Sequence, residues 1–211
     1  MKDLYNVSAS PHTFSYESTT SIMRDVIIAL IPASLFGIYN FGLKALLMIL
    51  TCVVASILTE YLYQKGMKLP LTTGDLSAVV TGLLLGLNMP AGAPLWMGVV
   101  GSIFAILIVK LLFGGIGQNF MNPALAGRVF LVISFGKVMA DFSVPRLGIT
   151  DPAITDYIAR GALTVDGITG ATPFTALKAG ESVDVLSMFL GNTGGTIGET
   201  SAFALLIGGI Y

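Results

Sequence analysis

The stretch from Ala45 to Tyr63, ALLMILTCVVASILTEYLY, decides the fold class of this chain. About 20 consecutive apolar residues in a helix cross the hydrocarbon core of a bilayer, and this stretch has that length. It ends in Glu60, Tyr61 and Tyr63, a polar and aromatic edge that suits the membrane interface. The stretch therefore predicts a transmembrane helix.

Further apolar stretches flank this one on both sides. They cover residues 26–42 with Pro32 as an expected kink, 76–89 before Pro90, 95–113 after Pro94, and 124–140 after Pro123. The stretch 76–89 is too short to cross a bilayer without thinning or re-entry. Residues 201–211 are apolar again, which predicts the start of a sixth segment in a chain that is part of a longer protein.

The composition agrees with a membrane protein. The chain has 211 residues, of which 54% are hydrophobic and 11% charged, and a mean hydropathy of +0.83. Soluble domains carry about 25% charged residues, so this chain has too little charge to cover a surface that faces water. The net charge of -1 gives no indication of a nucleic-acid partner. We therefore expect an all-α polytopic integral membrane protein with about five complete transmembrane segments and a truncated sixth.

Four regions follow from this pattern. We expect a cytoplasmic leader over residues 1–23, five transmembrane segments over 24–140, a polar extracytoplasmic loop over 141–200, and the start of a sixth segment over 201–211. The leader is polar and lacks the apolar core of a secretory signal peptide.

The distribution of basic residues predicts the orientation. Lys2 and Arg24 precede the first segment, and Lys65 and Lys68 lie between the second and the third. Under the positive-inside rule the N-terminus is cytoplasmic and the polar loop after the fifth segment is on the outer side. Lys44 does not follow the positive-inside rule, because it falls in an expected outer loop. A re-entrant third segment would place the polar loop on the other side.

Metal and cluster sites are not expected in this chain. Cys52 is the only cysteine, and one thiol can neither hold an iron–sulfur cluster nor form an internal disulfide. His12 is the only histidine and lies in the polar leader. A metal site rich in histidine or cysteine is therefore excluded.

Several charged residues lie within or beside the apolar segments, where ionisable groups are functional candidates. Glu60 is either an interface residue or part of a cation path, and Arg128 either reaches the cytoplasmic edge or holds a cofactor anion. Lys110 and Lys137 lie near helix ends, where we expect their side chains to extend to the interface. Asp75 is expected to cap the third segment.

Two segments contain irregular sequence. The block Gly114–Ala124, GGIGQNFMNPA, ends in Asn122-Pro123, which predicts a helix N-cap followed by a first helical turn. Interrupted helices of this kind build substrate and ion sites in transporters, but a tight connection between two helices has the same pattern. Gly82 and Gly86 are four residues apart, which favours close helix packing, and Asn88 after them either caps the helix or lines a site.

The polar loop contains the motif Asp166–Thr175, DGITGATPFT. Thr172 precedes Pro173, which predicts an N-cap hydroxyl and a first helical position. A phosphate ester on this hydroxyl would lie beside unpaired helix amides, where anions are favoured. An ordinary helix cap has the same local pattern.

Together, four blocks resemble a known family. They are Val7–His12, Thr81–Pro90, Gly114–Ala126 and Asp166–Pro173. In this order they resemble the RnfD-type membrane component of the bacterial Rnf ion-translocating electron-transport complex, over essentially the whole chain. A close relative is the NqrB-type component of the sodium-pumping NADH:quinone oxidoreductase, and the short leader favours the Rnf type.

The resemblance implies a flavoprotein. It implies FMN bound to Thr172 through a phosphodiester, made from FAD by a flavin transferase, with Asp166, Thr169, Gly170 and Ala171 as the surrounding motif. It also suggests a second, noncovalent flavin (riboflavin) near Asn119, Asn122 and Arg128. The implied function is electron relay in a ferredoxin:NAD oxidoreductase complex that transports Na⁺ or H⁺ across the bacterial cytoplasmic membrane.

The other subunits of the complex are the expected partners. Ferredoxin and NAD would react there, because this chain has neither a dinucleotide-binding fingerprint nor cluster cysteines. No catalytic residue is therefore assigned, and the chain is expected to act only within the complex. The alternative from another class is a secondary transporter or channel subunit with broken helices and no flavin.

Overall fold

The computed structural model describes residues 17–142, 177–178, 185–191 and 195–211, and these residues are mainly helical. The α-helices are α1 (Thr19–Phe41), α2 (Leu43–Gly66), α3 (Ser77–Leu87), α4 (Leu95–Ile103), α5 (Pro123–Ser134), α6 (Gly136–Met139), α7 (Val185–Leu190) and α8 (Ala202–Ile210). A π-helix, Phe104–Leu111, continues α4, and a 3₁₀ turn, Thr73–Asp75, precedes α3. The helical part of the predicted fold class is confirmed for these residues.

Among the described residues, two helices are long and apolar enough to cross a membrane by themselves. They are α1 with 23 residues and α2 with 24. The shorter apolar helices are α3, α4 with its π-helical extension, and α5. At a rise of about 1.5 Å per residue, the 11 residues of α3 reach only about 16 Å, roughly half the hydrocarbon core. The number of complete crossings therefore stays a prediction.

Some predicted helix boundaries are confirmed, and others differ from the structure. Asn122 caps α5, since its Oδ1 accepts hydrogen bonds from the amides of Ala124 and Leu125 at 3.0 and 3.4 Å. The first helix begins at Thr19, seven residues before the apolar stretch, because Ser18 forms a capping box with Ser21. The predicted fifth segment is not one helix, because Phe135 leaves helical geometry (φ -133°, ψ 41°) between α5 and α6.

Helix α2 lies at the centre of the bundle, and glycines of its neighbours allow close packing. A Cβ atom added at Gly82 of α3 would lie 2.6 Å from Val53 Cα, and one at Gly86 would lie 3.0 Å from Ile49 Cα. A Cβ at Gly98 of α4 would lie 2.9 Å from Cys52 Sγ. The predicted packing role of Gly82 and Gly86 is confirmed.

The fourth helix continues after α4 as a π-helix. Its backbone bonds run from residue i to i−5, as in the 3.1 Å bond from the Leu112 amide to the Leu107 carbonyl. π-Helices usually occur as single-turn bulges and often at functional sites, so an eight-residue run is unusual. Lys110 lies near the end of this run and is buried.

A strap, residues 195–201, packs against the end of α3. The Gly198 amide donates to the Leu87 carbonyl at 2.8 Å, and the Ile197 amide donates to the Met89 carbonyl at 3.1 Å. The Ile197 side chain is fully buried, and Ser201 caps α8 through the Ala204 amide. The end of the polar stretch is thereby attached to the helix bundle, and the apolar helix predicted at 201–211 is found as α8.

Candidate functional site

A buried ion pair joins α2 to the π-helix. Lys110 Nζ donates to Glu60 Oε1 at 2.9 Å, although the two residues are 50 positions apart. Their side chains are 3% and 0% exposed. A buried charge is costly unless it is paired and hydrogen-bonded, so each residue depends on the other.

Both charges have further polar neighbours. Lys110 Nζ also donates to Ser77 Oγ at the start of α3. On the other side, Glu60 Oε1 accepts hydrogen bonds from Gln64 Nε2 at 3.3 Å and from Thr72 Oγ1 at 3.4 Å. We call these five residues the Glu60 cluster. It draws on α2, the π-helix, the start of α3 and the residues between α2 and α3.

The helix cap predicted at Asp75 is one residue before the actual N-cap, but the Asp75 carboxylate still accepts a hydrogen bond from the first residue of α3. The N-cap position of α3 is Leu76, which has a left-handed backbone with φ of 65°. Asp75 Oδ1 accepts hydrogen bonds from the Ser77 amide at 2.8 Å and from Ser77 Oγ at 2.6 Å. The Asp75 carboxylate thus holds the hydroxyl that contacts Lys110.

Two buried oxygen atoms at the Glu60 cluster have no hydrogen-bond partner. They are Glu60 Oε2 and Ser56 Oγ, one helical turn apart on the same face of α2. Nearly all buried polar atoms in proteins are hydrogen-bonded, so two unpaired atoms beside a buried ion pair indicate a site with spare acceptor capacity.

These positions bear on two predictions from the sequence. The Glu60 side chain is fully buried between helices, and both roles named for it, at the interface and in a cation path, stay predictions. The predicted extension of Lys110 to the interface is wrong, because its side chain is buried and bonds Glu60. Lys137 is exposed near the end of α6, as predicted.

A second polar group lies where α3 ends. Arg128 of α5 donates to Asn88 Oδ1 at 2.6 Å and to Glu199 Oε1 at 3.1 Å. The Arg128 side chain is 28% exposed, and Glu199 belongs to the strap. Arg128 therefore binds protein partners on α3 and the strap, and the two roles named for it from the sequence stay predictions.

The residues predicted for a second flavin do not form one set of donors. Asn122 Oδ1 is used in the cap of α5, and Asn119 Nδ2 donates to the Met121 carbonyl at 2.9 Å. Arg128 is directed to Asn88 and Glu199. The resemblance implies one site for the three residues, and in the structure each of them has its own protein partner, so the second flavin stays a prediction.

Asn122 does border an apolar groove of about 550 Å³, which is within the usual size range of small-molecule sites. Aromatic side chains line it, with Phe104 stacked on Phe130 at 4.2 Å between ring centroids and Phe113 edge-on to Phe120 at 4.9 Å. The groove is therefore an apolar surface with aromatic lining and one amide group at its rim.

Lys44 is not in a loop, as the sequence suggested, but is the second residue of α2. Its side chain is buried, and Nζ donates to the Gly92 carbonyl at 3.2 Å, with Asp141 near enough to interact electrostatically. Lys44 therefore bonds the turn between α3 and α4. This structural role explains why a lysine lies where the positive-inside rule does not expect one.

The FMN motif lies outside the described residues, and so do its predicted members Asp166, Thr169, Gly170, Ala171 and Thr172. The described residues that follow it are attached to the bundle: Asn40 Nδ2 of α1 donates to the Gly191 carbonyl at 3.1 Å. Within the described ranges, no group of three or more His, Cys, Asp or Glu residues could hold a metal ion.

The Glu60–Lys110 contact was missed at the sequence level, although a signal was available. One acid and one base interrupt different apolar segments, and opposite charges in a membrane protein commonly pair. The sequence alone does not give the face on which Lys110 lies, because that depends on the π-helix.

Comparison with known proteins identifies a family and several related subunits. The model of the NQR2, RnfD, RnfE family matches residues 6–211. The chain is 50% identical over 210 residues to the D subunit of the Na(+)-translocating ferredoxin:NAD(+) oxidoreductase complex of Acetobacterium woodii, covering 97% of this chain and 61% of that protein. It is 38% identical over 221 residues to the D subunit of the proton-translocating ferredoxin:NAD(+) oxidoreductase complex of Clostridium ljungdahlii, covering 100% and 62%.

A third relative is the D subunit of the ion-translocating oxidoreductase complex of Cronobacter sakazakii, 37% identical over 194 residues, with 84% of this chain and 55% of that protein covered. The chain thus spans about three fifths of the length of the first two relatives. These two are named for different coupling ions, so similarity alone does not assign the ion.

Proposed function

The chain belongs to the NQR2, RnfD, RnfE family, and from that premise we propose that it is a membrane subunit of an ion-translocating ferredoxin:NAD oxidoreductase complex. The observation that carries the proposal is the buried Glu60–Lys110 pair within apolar helices, since ionisable groups at such positions commonly serve ion or proton movement. The chain acts in a translocase-type oxidoreductase only together with the other subunits of the complex.

The proposed cofactor is FMN, joined to Thr172 by a phosphodiester. The motif supports this proposal because it places a hydroxyl before Pro173, where a helix start would favour the phosphate charge. FMN supplies one- and two-electron chemistry that amino-acid side chains lack. The chain's own part is to carry the attachment hydroxyl, and further along the chain Asn40 of α1 holds the Gly191 carbonyl.

A second, noncovalent flavin is proposed only for the aromatic groove beside Asn122. Its size and its phenylalanine lining suit an apolar ring system. Arg128 and Asn119 are not assigned to it, because their side chains have other partners.

The proposed location is the bacterial cytoplasmic membrane, with a cytoplasmic N-terminus and the Thr172 segment on the outer side. The distribution of basic residues supports this orientation. Ferredoxin and NAD would react at partner subunits, and a flavin transferase would load Thr172. The coupling ion is Na⁺ or H⁺, as in the names of the two relatives.

In-gel fluorescence tests the flavin proposal. The full chain, co-expressed with a flavin transferase and run on a denaturing gel, should fluoresce, and Thr172→Val should abolish the signal. Thr169→Val and Thr175→Val are matched controls within the same motif and should leave the band fluorescent. Mass spectrometry gives a second readout: the intact chain should gain the mass of FMN less one water, and after digestion the gain should be found on the peptide that contains Thr172.

A dark wild-type band would contradict the flavin proposal and favour a transporter or channel subunit without flavin. Fluorescence retained in Thr172→Val but lost in Thr169→Val would move the attachment to the other threonine. Quinone in place of ferredoxin as the redox partner of the purified complex would favour the NADH:quinone oxidoreductase relative.

A further inference from the structure

We propose that the Lys110 ammonium group is a tethered cation in the Glu60 cluster, occupying the position that a monovalent metal cation takes when Lys110 withdraws. This rests on the proposed ion-coupling function, because it identifies how the chain would hold the ion.

The groups around Lys110 Nζ form a cation-binding set. Glu60 Oε1 and Ser77 Oγ contact the ammonium directly, and Thr72 Oγ1 and Gln64 Nε2 contact Glu60 Oε1 from the other side. The two atoms that contact the ammonium are oxygen atoms, the ligands that hard cations prefer. The Glu60 carboxylate matches a single positive charge, and the Asp75 carboxylate lies one hydroxyl away, on Ser77.

The unpaired atoms show that the site has capacity beyond what Lys110 uses. Glu60 Oε2 has no hydrogen-bond partner although Glu60 is fully buried, and Ser56 Oγ one turn earlier is unpaired and buried as well. A Cβ atom added at Gly82 would lie 2.9 Å from Ser56 Oγ, so this hydroxyl is held between α2 and α3. An ammonium on one carboxylate oxygen leaves the second oxygen free for a cation that binds more oxygens at once.

Charge repulsion makes the two occupants exclusive. Glu60 and Lys110 together are neutral, and the nearby Asp75 carboxylate bonds Ser77. A metal cation on Glu60 beside the ammonium would put two like charges next to each other among buried groups, which is strongly unfavourable. A cation can therefore enter only when the ammonium leaves. The π-helix supplies a means for this, because a return to α-helical geometry would turn Lys110 away from Glu60.

Removing the ammonium should expose the site to cations from solution. Lys110→Met keeps an unbranched apolar chain but leaves Glu60 as an unpaired buried carboxylate. In the full chain we expect Na⁺ to raise the Tm of this variant by about 5 °C at 100 times its Kd, relative to choline at equal ionic strength. The wild-type Tm should change by less than about 1 °C, because its own ammonium fills the position.

Two variants serve as matched controls. Glu60→Gln/Lys110→Met lacks the carboxylate and should lose the Na⁺ response, whereas Lys110→Arg keeps a tethered charge and should respond as little as the wild type. The readout needs neither flavin nor electron transfer. Its failure is therefore distinguishable from failure of the proposed function.

Three outcomes would overturn the proposal. One is an equal Tm in Na⁺ and choline for Lys110→Met, and another is a Na⁺ response that persists in the double variant. The third is a Lys110→Met chain that does not fold in any salt while the double variant folds, because then no cation has replaced the ammonium. Lys110→Gln, alone and with Glu60→Gln, repeats the comparison with a side chain that can still bond Ser77.

Discussion

The buried Glu60–Lys110 pair predicts a specific pattern of stabilities for four chains. They are the wild type, Glu60→Gln, Lys110→Met and the double variant. At the 2.9 Å separation of the charged atoms, the Coulomb attraction is about 6 kcal/mol for an effective dielectric constant of about 20. Both side chains are almost fully buried, so solvent screens this interaction little.

Each single variant leaves one buried charge without its partner. We expect each to lose about 3–5 kcal/mol of unfolding free energy in a buffer that contains choline instead of Na⁺. The double variant removes both charges and places apolar atoms beside an amide, so it should lie within about 2 kcal/mol of the wild type. The coupling energy of the cycle should therefore exceed about 3 kcal/mol.

Detergent-solubilised protein titrated with SDS gives these free energies, with fluorescence of the single tryptophan, Trp96, as the signal. Trp96 packs edge-on against Phe135 at 5.2 Å, so unfolding should change its environment. The exposed pair Arg24–Asp25 is a matched control and should give a coupling of less than about 1 kcal/mol. Losses that simply add in the Glu60–Lys110 double variant would refute the buried-pair reasoning.

Two further predictions concern the helices. Gly208→Ala should lower the unfolding free energy by about 1–3 kcal/mol, because the new methyl group would overlap the Ala29 carbonyl. The control is Gly209→Ala, whose methyl group meets nothing within 4 Å, so this variant should be neutral or slightly stabilising. Equal SDS midpoints for the two variants would contradict the contact between α1 and α8. Asn122→Ala should cost about 1 kcal/mol through loss of the α5 cap, and Asn119→Ala, which removes an exposed bond to Met121, should cost less in the same titration.

Features that depend on neighbouring residues were predicted well from the sequence. The cap at Asn122 and the apolar helix after Ser201 are local consequences of side-chain chemistry. Helix packing at Gly82 and Gly86 also follows from a four-residue spacing. These patterns keep their meaning whatever the rest of the chain does.

The candidate site depends on contacts between distant parts of the chain. The sequence leaves Glu60 open between an interface residue and part of a cation path and predicts Lys110 at the interface, because hydropathy along the chain does not report which side chains face each other. The family resemblance groups Arg128 with Asn119 and Asn122, whereas in the structure Arg128 contacts Asn88 and Glu199, which lie 40 and 71 positions away. The π-helix has no comparable sequence signal.

Electron flow through a flavin on Thr172 is proposed to drive cation transport by the assembled complex. Cation uptake by sealed inverted vesicles during ferredoxin-linked NAD reduction tests this coupling, with wild-type and Thr172→Val subunits at equal abundance. We predict that Thr172→Val abolishes both NAD reduction and uptake, while Thr175→Val retains both. Undiminished cation uptake in Thr172→Val vesicles during NAD reduction would contradict the claim.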